Sequence, residues 1–407
     1  MTAIKEFTSR LKFVKREDIL QLFPALLGYI VSLFVRIKHN KVWLVCERGS
    51  DARDNGYWFF KYLCEHHPEI EAIYAIKFDS PDYNKVKDLG RVIEFGSFTH
   101  WVYYWLAKRN VSSAKEGKPN AALCFIFEVY LGMRKNRAYI RHGIVKDDQK
   151  WVYYDVTKMN LFVTSAKREY DYVTSLFGYP EGAVQLLGLC RFDNLLKPHN
   201  TKRQILVMPT MREWLRVISY DTFDYEGTYD FKESEFFKVW TSFIHSDKLS
   251  YLLDKYDMNL VFYLHASMQH YADDFMSNNS RISIGHAKDN DVQQLLMESA
   301  VLITDYSSIY FDFAYMKKTL LYYQFDYEKY RRGQYQEGYF SYKNDGFGDV
   351  CQTEDDLFNK LEAILDGNLE MPLLYANRVD EFFAYHDTHN CERTYMAIMN
   401  MKNNNNK

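Results

Sequence analysis

The sequence is poor in glycine, proline and cysteine, and each shortage excludes a class of protein. Eighteen glycines and eight prolines in 407 residues are too few for a long disordered or collagen-like chain. The six cysteines lie far apart without a Cys-x-x-Cys pair, so they indicate neither a zinc signature nor a disulfide scaffold. This cysteine usage indicates a reducing, cytoplasmic compartment.

Charge of one sign is also lacking, because 51 Lys and Arg face 54 Asp and Glu. General nucleic-acid binding needs a basic surplus, so no nucleic-acid partner is expected. The sequence has no Gly-x-Gly-x-x-Gly loop and no Walker loop, which excludes the standard phosphate cradles of dehydrogenases and NTPases. Apolar and aromatic residues are plentiful instead, at 47% and 17%, enough for two domains that each bury a core.

The most apolar stretch, residues 19–35, has basic residues on both sides and is broken by Gln21 and Pro24. It is shorter than the about 20 apolar residues that a membrane span needs. No small-residue cleavage site follows it, so a secretory signal is not expected. Three interpretations stay open: a buried packing helix, a segment lying in an anionic membrane interface, or, despite the short length, a span. The flanking cations are Lys5, Arg10, Lys12, Lys15, Arg16, Arg36, Lys38 and Lys41.

Beyond residue 40, short β-branched or aromatic runs alternate with helical patterns, which predicts parallel sheets covered by helices on both faces. The predicted strands include those at 42–46, 161–164 and 301–304, and the predicted helices include those at 235–256 and 380–399. A polar stretch near residue 200 interrupts the pattern, which then restarts. We therefore predict an α/β protein with two doubly wound, Rossmann-like lobes. The predicted segments are a membrane-proximal segment at 1–40, an acceptor-side lobe at 41–200, a donor-binding lobe at 201–385, and a closing helix with a polar tail at 386–407.

Ligands gather at the carboxyl ends of strands in such sheets, and two histidines follow predicted strands. His142 lies in Tyr-Ile-Arg-His-Gly-Ile-Val-Lys-Asp-Asp at 139–148, and His265 ends Val-Phe-Tyr-Leu-His at 261–265. A histidine exposed there can take a proton from a hydroxyl near neutral pH. Each could equally be a structural histidine that caps a turn.

Two further strand ends carry groups that suit phosphate. Thr210 and Arg212 follow a strand that stops at Pro209, although a helix cap and a surface arginine would look the same. Ser307 and Ser308 follow the buried strand at 301–304, where hydroxyls and backbone N–H groups at a helix start favour an anion. The tripeptide Asp-Asn-Asp at 289–291 has the form of a sugar-transferase metal motif, but we interpret it as the polar start of a helix.

Taken in order, these motifs resemble the CDP-glycerol glycerophosphotransferase family, the teichoic acid primases and polymerases with relatives in capsule synthesis. The specific parts are His-Gly at 142–143, Gly-Leu-Cys-Arg-Phe-Asp at 188–193, Pro-Thr-Met-Arg at 209–212, and Thr-Asp-Tyr-Ser-Ser-Ile-Tyr-Phe-Asp-Phe at 304–313. The family's usual His-Gly-Thr-Pro reads His-Gly-Ile-Val here, which looks like a capsule-locus branch.

The resemblance implies a glycosyltransferase B architecture in which an acceptor hydroxyl attacks the β-phosphorus of a CDP-polyol and CMP leaves. It implies His142 as the base and His265 as a second catalytic residue. No metal or other cofactor is expected. The implied substrate-binding residues are Lys146, Arg191, Asp193, Thr210, Arg212, Asp305, Ser307, Ser308 and Asp312.

The implied donor is CDP-glycerol or CDP-ribitol, and the implied acceptor is a lipid-linked polymer. The resemblance thereby predicts a peripheral enzyme at the cytoplasmic face of a bacterial cell membrane. Two other functions stay open at this stage. One is a nucleotide-sugar glycosyltransferase of the same architecture, which would release a nucleoside diphosphate. The other is a non-catalytic adaptor of a polysaccharide assembly complex, since fold alone does not establish function.

Overall fold

The chain forms two compact units in a computed structural model that describes residues 15–133, 135–218, 225–227 and 231–402. The first unit comprises the described residues up to His142, Lys150–Asp193, and those from Asp387 onward. The second comprises Gly143–Gln149 and Asn194–His386. The chain's last helix therefore folds with the first unit, and the short segment after His142 folds with the second.

A parallel sheet forms the core of the first unit. Its described strands are β1 Val42–Cys46, β2 Glu71–Ile76, β3 Arg91–Glu94, β4 Arg109–Ser112, β5 Arg137–Tyr139, β6 Leu161–Thr164 and β7 Val184–Leu186. Their order across the sheet is β3-β2-β1-β4-β5-β6-β7, and each neighbouring pair is parallel. The chain direction across the sheet reverses between β1 and β4, as expected of a doubly wound fold.

Helices cover both faces of this sheet. Those described up to residue 195 are α1 Arg16–Leu20, α2 Leu22–Val35, α3 Asn55–His66, α4 Tyr83–Val86, α5 Phe98–Leu106, α6 Ala121–Phe125, α7 Tyr154–Thr157, α8 Lys167–Leu176 and α9 Phe192–Leu195. A π-helical turn, Ile126–Tyr130, continues α6.

Helix α2 packs on α5 through a narrow face of small residues. Gly28 approaches closely, since a Cβ there would lie 3.0 Å from Cβ of Trp101. The indole of Trp101 donates to Gln21 Oε1 over 2.9 Å, and that of Trp105 donates to the Ala25 carbonyl over 3.0 Å. The opposite, apolar face of α2 is exposed. Helix α2 therefore has one packed face and one exposed apolar face. The cations Lys5, Arg10 and Lys12 lie outside the described residues.

A second parallel sheet forms the core of the other unit. Its described strands are β8 Gln204–Met208, β11 Asn259–Tyr263, β12 Ile282–Gly285, β13 Val301–Thr304, β14 Thr319–Tyr323 and β15 Gly348–Cys351, and the antiparallel pair β9 Arg216–Ile218 and β10 Tyr225–Gly227 stands apart from it. The order β12-β11-β8-β13-β14-β15 is that of dinucleotide-binding folds. The strand order reverses between β8 and β13, which is the place where such sheets bind ligands. The two doubly wound sheets confirm the predicted α/β fold class.

The remaining helices complete both units. They are α10 Glu235–His245, α11 Asp247–Lys255, α12 Val292–Glu298, α13 Ile309–Tyr315, α14 Tyr327–Gly333, α15 Tyr342–Asp345, α16 Glu354–Asp366, α17 Leu373–Phe382 and α18 Asn390–Asn400. Asp291 caps α12 by accepting from the N–H groups of Gln293 and Gln294. The Asp-Asn-Asp tripeptide at 289–291 is therefore the start of a helix, as predicted.

Candidate active site

In the first unit, the chain turns sharply just before His142. Arg141 is buried and adopts a left-handed conformation with φ of 61°, which costs an L-residue of order 1–3 kcal/mol. The side chain of Asn55 holds the turn by donating to the Arg141 carbonyl over 2.8 Å and accepting from the Arg191 N–H over 2.9 Å. Strain of this kind, held by neighbours, is typical of functional sites.

The turn presents the imidazole of His142, whose side chain is 63% exposed. Its Nδ1 lies 2.9 Å from Oδ2 of Asp54, the residue that precedes α3. Arg191 donates through Nη1 to Oδ1 of the same carboxylate over 2.7 Å and to the His142 carbonyl over 2.7 Å. The three side chains therefore form one connected network. The sequence motifs gave no signal for Asp54, because it lies 88 positions before His142 in the sequence.

The carboxylate of Asp54 is ionised within this network. Burial opposes its ionisation, but Arg191 and His142 outweigh burial and lower the pKa of Asp54 below its ordinary value. Behind it, the carboxylate of Glu47 accepts from the N–H groups of Arg53, Asp54 and Tyr57. Burial, followed by the nearby Asp54 charge, raises the pKa of Glu47. Glu47 thus fixes the backbone on which Asp54 is carried.

The two predicted binding residues at 188–193 have positions that differ from expectation. Arg191 was expected to bind substrate, but its guanidinium is occupied by Asp54 and the His142 carbonyl. Asp193 accepts from the N–H groups of Asn390 and Cys391, each over 2.8 Å, and so caps α18. In this structure both residues orient other groups of the first unit.

In the second unit, the carboxyl ends of three adjacent strands carry the remaining candidates. Strand β8 pairs with both β11 and β13, so the residues that follow these strands share one edge of the sheet. The Thr304 hydroxyl donates to the Met208 carbonyl over 2.6 Å, and the Thr210 N–H donates to Asp305 Oδ1 over 2.8 Å. These two bonds tie the ends of β8 and β13 together. The Thr210 hydroxyl is buried and has no hydrogen-bond partner among the described residues.

Arg212 was expected to bind a phosphate, and the structure corrects this expectation. The side chain is fully buried, with its guanidinium 2.8 Å from Asp305 Oδ2 and 2.7 Å from Asp326 Oδ2. It also lies over the rings of Tyr306 and Tyr330. Although burial disfavours its charge, the two carboxylates raise its pKa. Arg212 therefore acts as the buried centre of a frame that holds the switch point in shape, and Asp305 belongs to the same frame.

Ser307 and Ser308 are half-buried at the start of α13. That helix has only 7 residues, so its dipole offers less to an anion than the sequence pattern indicated. The hydroxyls themselves remain at the switch point, carried by the turn that the Arg212 frame supports. Asp312 lies further along α13 with its side chain buried, which places it in the packing of this helix.

His265 follows β11 and is exposed. Its Nδ1 accepts from the backbone N–H of Ser267 over 3.2 Å and lies 2.7 Å from the Ser267 hydroxyl. A backbone N–H can only donate, so Nδ1 of His265 is unprotonated in the neutral ring. The proton of that ring is therefore on Nε2, which can donate to an oxygen of a ligand.

The predicted residue Lys146 folds with the second unit and is buried. Its ammonium lies 2.5 Å from Oδ2 of Asp147, whose Oδ1 accepts from Arg331 over 2.7 Å. Burial opposes the charge on Asp147, but Lys146 and Arg331 together lower its pKa. Arg331 also lies 4.0 Å from Oε1 of Glu337, so the two cations face two carboxylates.

Among the described residues, no group of three or more His, Cys, Asp or Glu side chains is arranged to hold a metal ion. A cavity of about 480 Å³ in the second unit is lined by a separate set of residues. Its lining consists of Trp214, Glu328, Lys329, Arg332 and Gly333, none of which is a predicted site residue.

The motifs and their geometry agree with a comparison against known families. The family model described as CDP-Glycerol:Poly(glycerophosphate) glycerophosphotransferase matches residues 27–400. The chain belongs to this family. The match includes both histidine sites and the whole second sheet, and it confirms the family predicted from the motifs.

Relatives with established names support the assignment. The minor teichoic acid biosynthesis protein GgaB of Bacillus subtilis (strain 168) is 32% identical over 395 residues, covering 94% of this chain and 42% of that protein. A teichoic acid poly(glycerol phosphate) polymerase of Staphylococcus epidermidis is 24% identical, covering 82% of this chain and 46% of that protein. The chain thus spans less than half the length of either relative.

Solved structures share the fold. The wall teichoic acid polymerase TagF has a TM-score of 0.67 and 18% identity, with 97% of each chain covered. A putative UDP-N-acetylglucosamine 2-epimerase from Listeria monocytogenes has a TM-score of 0.56 and 13% identity, with 88% of this chain and 96% of that chain covered. At these identities the likeness shows the fold alone, and it agrees with the predicted two-lobed architecture.

Proposed function

We propose that the chain transfers glycerol phosphate or ribitol phosphate from a CDP-activated donor to a hydroxyl of a lipid-linked teichoic acid or capsule polymer. The observation that carries the proposal is the position of the string at 304–313, which lies at the switch point of the second sheet. The most specific part of the family resemblance thereby coincides with the place where such sheets bind nucleotides.

The donor's diphosphate has matching groups along this edge of the sheet. The Ser307 and Ser308 hydroxyls follow β13 and the Nε2–H of His265 follows β11, so these hydrogen-bond donors flank the end of β8, which lies between the two strands. Such fixed donors stabilise charge that develops on a leaving phosphate without reorganising. Lys146 is in the same unit, but its ammonium is paired with Asp147. The family to which the chain belongs is named for CDP-glycerol, which supports the choice of a CDP-linked donor.

The reaction needs one base and one leaving group. The acceptor oxygen attacks the β-phosphorus of the CDP-polyol, and Nε2 of His142 takes the hydroxyl proton. The bond between the β-phosphorus and the bridging oxygen breaks, and CMP leaves with that bond pair. Positioning and fixed electrostatics carry most of a phosphoryl-type transfer. The new bond joins the polyol phosphate to the polymer through a phosphodiester.

Incubation with separate donors tests this function. The purified chain is given CDP-glycerol, CDP-ribitol, a UDP-sugar or a GDP-sugar, each with a lipid-linked acceptor, and the released nucleotide and product mass are measured. We expect acceptor-dependent CMP release from one CDP-polyol. Release of a nucleoside diphosphate from a sugar donor would instead identify a glycosyltransferase, and failure to bind any donor would favour a non-catalytic adaptor.

The exposed face of α1 and α2 supports a peripheral position at an anionic membrane surface, as the location of a lipid-linked acceptor requires. Within the described residues, Arg16–Val35 is the stretch long and apolar enough to cross a bilayer, with a mean hydropathy of 1.8 and 17% of it buried. Phe23 and Phe34 are 74% and 72% exposed on this face. Because the opposite face is packed on α5, a helix lying in the interface fits better than a span.

Point variants test membrane contact better than a truncation, because removing α2 would uncover Trp101 and Trp105. We expect Phe23→Ser with Phe34→Ser to weaken binding to anionic vesicles roughly tenfold or more, since burying each Phe contributes about 1.5–3 kcal/mol. The matched control, Phe78→Ser with Leu373→Ser, removes exposed apolar side chains elsewhere. Equal vesicle binding by both double variants would place the membrane contact on another surface.

A further inference from the structure

Asp54 belongs to none of the sequence motifs, yet its carboxylate contacts the imidazole of His142. We propose that Asp54 is a positioning residue for the transfer reaction, holding His142 in the tautomer whose Nε2 accepts the proton of the acceptor hydroxyl. This inference rests on the proposed function, because it assigns a role in that reaction.

Both oxygens of the Asp54 carboxylate are engaged, one by each partner. Oδ1 receives Nη1 of Arg191 over 2.7 Å, and Oδ2 lies 2.9 Å from Nδ1 of His142. An ionised carboxylate only accepts hydrogen bonds, so Nδ1 of His142 is the donor. The neutral ring then has its lone pair on Nε2. Since 63% of the side chain is exposed, that nitrogen can meet a substrate hydroxyl.

The arrangement differs from an ordinary surface ion pair in how many groups fix it. The side chains of Asp54 and Arg191 are only 16% and 10% exposed, so solvent screens their interaction weakly. Arg191 also binds the His142 carbonyl, which couples the backbone of the histidine to the carboxylate that orients its ring. The side-chain amide of Asn55 binds the carbonyl of Arg141, the residue before His142, and also the backbone N–H of Arg191.

During transfer the proton leaves the acceptor oxygen and binds Nε2, so the ring becomes an imidazolium. Asp54 is then a negative partner for that new charge while Nδ1 keeps its hydrogen bond. An amide in place of the carboxylate removes the negative charge and can donate a hydrogen bond to Nδ1. The ring proton then moves to Nε2, which has no lone pair left to take the proton of the acceptor hydroxyl. The predicted defect is therefore in turnover and not in donor binding.

Asp54→Asn tests the proposal by steady-state kinetics of CMP release. We expect kcat to fall about 10²–10⁴-fold, with the KM for the CDP-polyol changed by no more than a few fold. Glu71→Gln is the matched control, because it neutralises a partly buried carboxylate that pairs with His39 and Arg91 in the same unit and contacts neither His142 nor the turn that carries Asp54. The control should keep kcat within a few fold. A similar loss in both variants would indicate a structural defect and overturn the proposal.

Nitrogen NMR of the wild-type protein provides a test that does not need turnover. With ¹⁵N-labelled histidine, the His142 signals are assigned by their loss in His142→Gln. We expect a protonated Nδ1 and an unprotonated Nε2 in the neutral ring. The reverse assignment would overturn the role of Asp54. Absence of CMP release by the wild type would refute the proposed function instead, and the NMR result distinguishes the two failures.

Discussion

His142 in the first unit and His265 in the second both follow a strand of a parallel sheet, but opposite kinds of partner hold their rings. Nδ1 of His142 faces a carboxylate, whereas Nδ1 of His265 accepts from a backbone N–H. The exposed nitrogen is consequently a base in the first ring and a donor in the second. The comparison teaches that the chemistry of a strand-end histidine is set by the neighbour of its inner nitrogen.

The two units also share a device. In each unit, a buried arginine forms an ion pair with an aspartate of the candidate site. Arg191 pairs with Asp54, and Arg212 pairs with Asp305. The difference lies in what the aspartate then contacts. Asp54 orients an imidazole, whereas Asp305 accepts backbone N–H groups from Thr210 and Tyr306. A guanidinium near a phosphate-binding sheet edge is thus not necessarily a phosphate ligand.

The largest effect is expected from the first histidine. His142→Ala removes the base, so kcat should fall about 10²–10⁴-fold while donor affinity stays nearly unchanged. Turnover is measured as CMP release, and donor affinity by calorimetry with CDP-glycerol or CDP-ribitol. Wild-type turnover in this variant would remove the proposed base from the mechanism and erase the contrast between the two rings.

The second histidine should respond differently. His265→Ala removes a donor to the diphosphate and should weaken donor binding roughly 10–100-fold, since a hydrogen bond to a charged group contributes about 1.5–3 kcal/mol. His270→Ala, at an exposed position in the 3₁₀ helix Ala266–Phe275 that follows His265, is the matched control and should bind the donor normally. If His265→Ala lowered kcat alone, both rings would act on the acceptor and the contrast would fail.

Arg212 and Asp326 should behave as one buried frame. Removing the Arg212 charge leaves the buried carboxylates of Asp305 and Asp326 uncompensated, so Arg212→Met should lower the free energy of unfolding by about 3–5 kcal/mol. Asp326→Asn leaves Arg212 paired with Asp305 and should lower it by less. The measurement is denaturant unfolding, with donor affinity determined on the folded fraction. Arg212→Met would contradict the frame if it lost donor affinity while keeping wild-type stability, because that is the pattern of a phosphate ligand.

The smallest expected effect is a loss of stability at low pH, to which one buried carboxylate in each unit contributes. Burial opposes the charge on Glu128, but Arg137 and Lys118 lower its pKa in the folded first unit, and Asp147 is lowered in the second. A lowered folded pKa contributes stability above the unfolded pKa, which is lost as pH falls through the folded value. The free energy of unfolding should therefore drop below about pH 4.5. Glu128→Gln, although less stable at neutral pH, should show a shallower drop.

Much of the fold could be predicted because its strands are short apolar runs. The predicted strands at 42–46, 161–164 and 301–304 agree residue for residue with β1, β6 and β13. Strand β4 was missed because three of its four residues are polar. Arg109 in this strand is buried, and its guanidinium donates hydrogen bonds to the carbonyls of Ile398 and Met401. No local sequence pattern reveals these contacts.

Helix boundaries were less predictable where a cap decides them. The helix predicted at 235–256 is two helices, because the chain leaves helical conformation at Ser246, which precedes α11. The helix predicted at 380–399 was wrong at its start: α17 ends at Phe382 and α18 begins at Asn390. Asp193 caps α18 from a distant part of the chain, so the sequence around residue 390 lacks the signal.

The candidate site was predictable where it depends on strand ends and not where it depends on partners. His142, His265, Thr210 and the serine pair follow strands, which a sequence pattern reveals. Asp54 could not be found, because its role depends on a contact across 88 positions in sequence. Arg212 was assigned to phosphate because its two carboxylate partners lie far along the chain, and their contacts become visible only in the folded unit.

The transfer of a polyol phosphate is tested most directly by following the acceptor oxygen. An acceptor whose terminal hydroxyl carries ¹⁸O is incubated with the protein and a CDP-polyol, and the product is examined by ³¹P NMR. The proposed mechanism predicts CMP release and an isotope-shifted phosphodiester signal, because the acceptor oxygen becomes bonded to phosphorus. Accumulation of CDP with no isotope shift on phosphorus would show cleavage of a carbon–oxygen bond and contradict the proposed transfer.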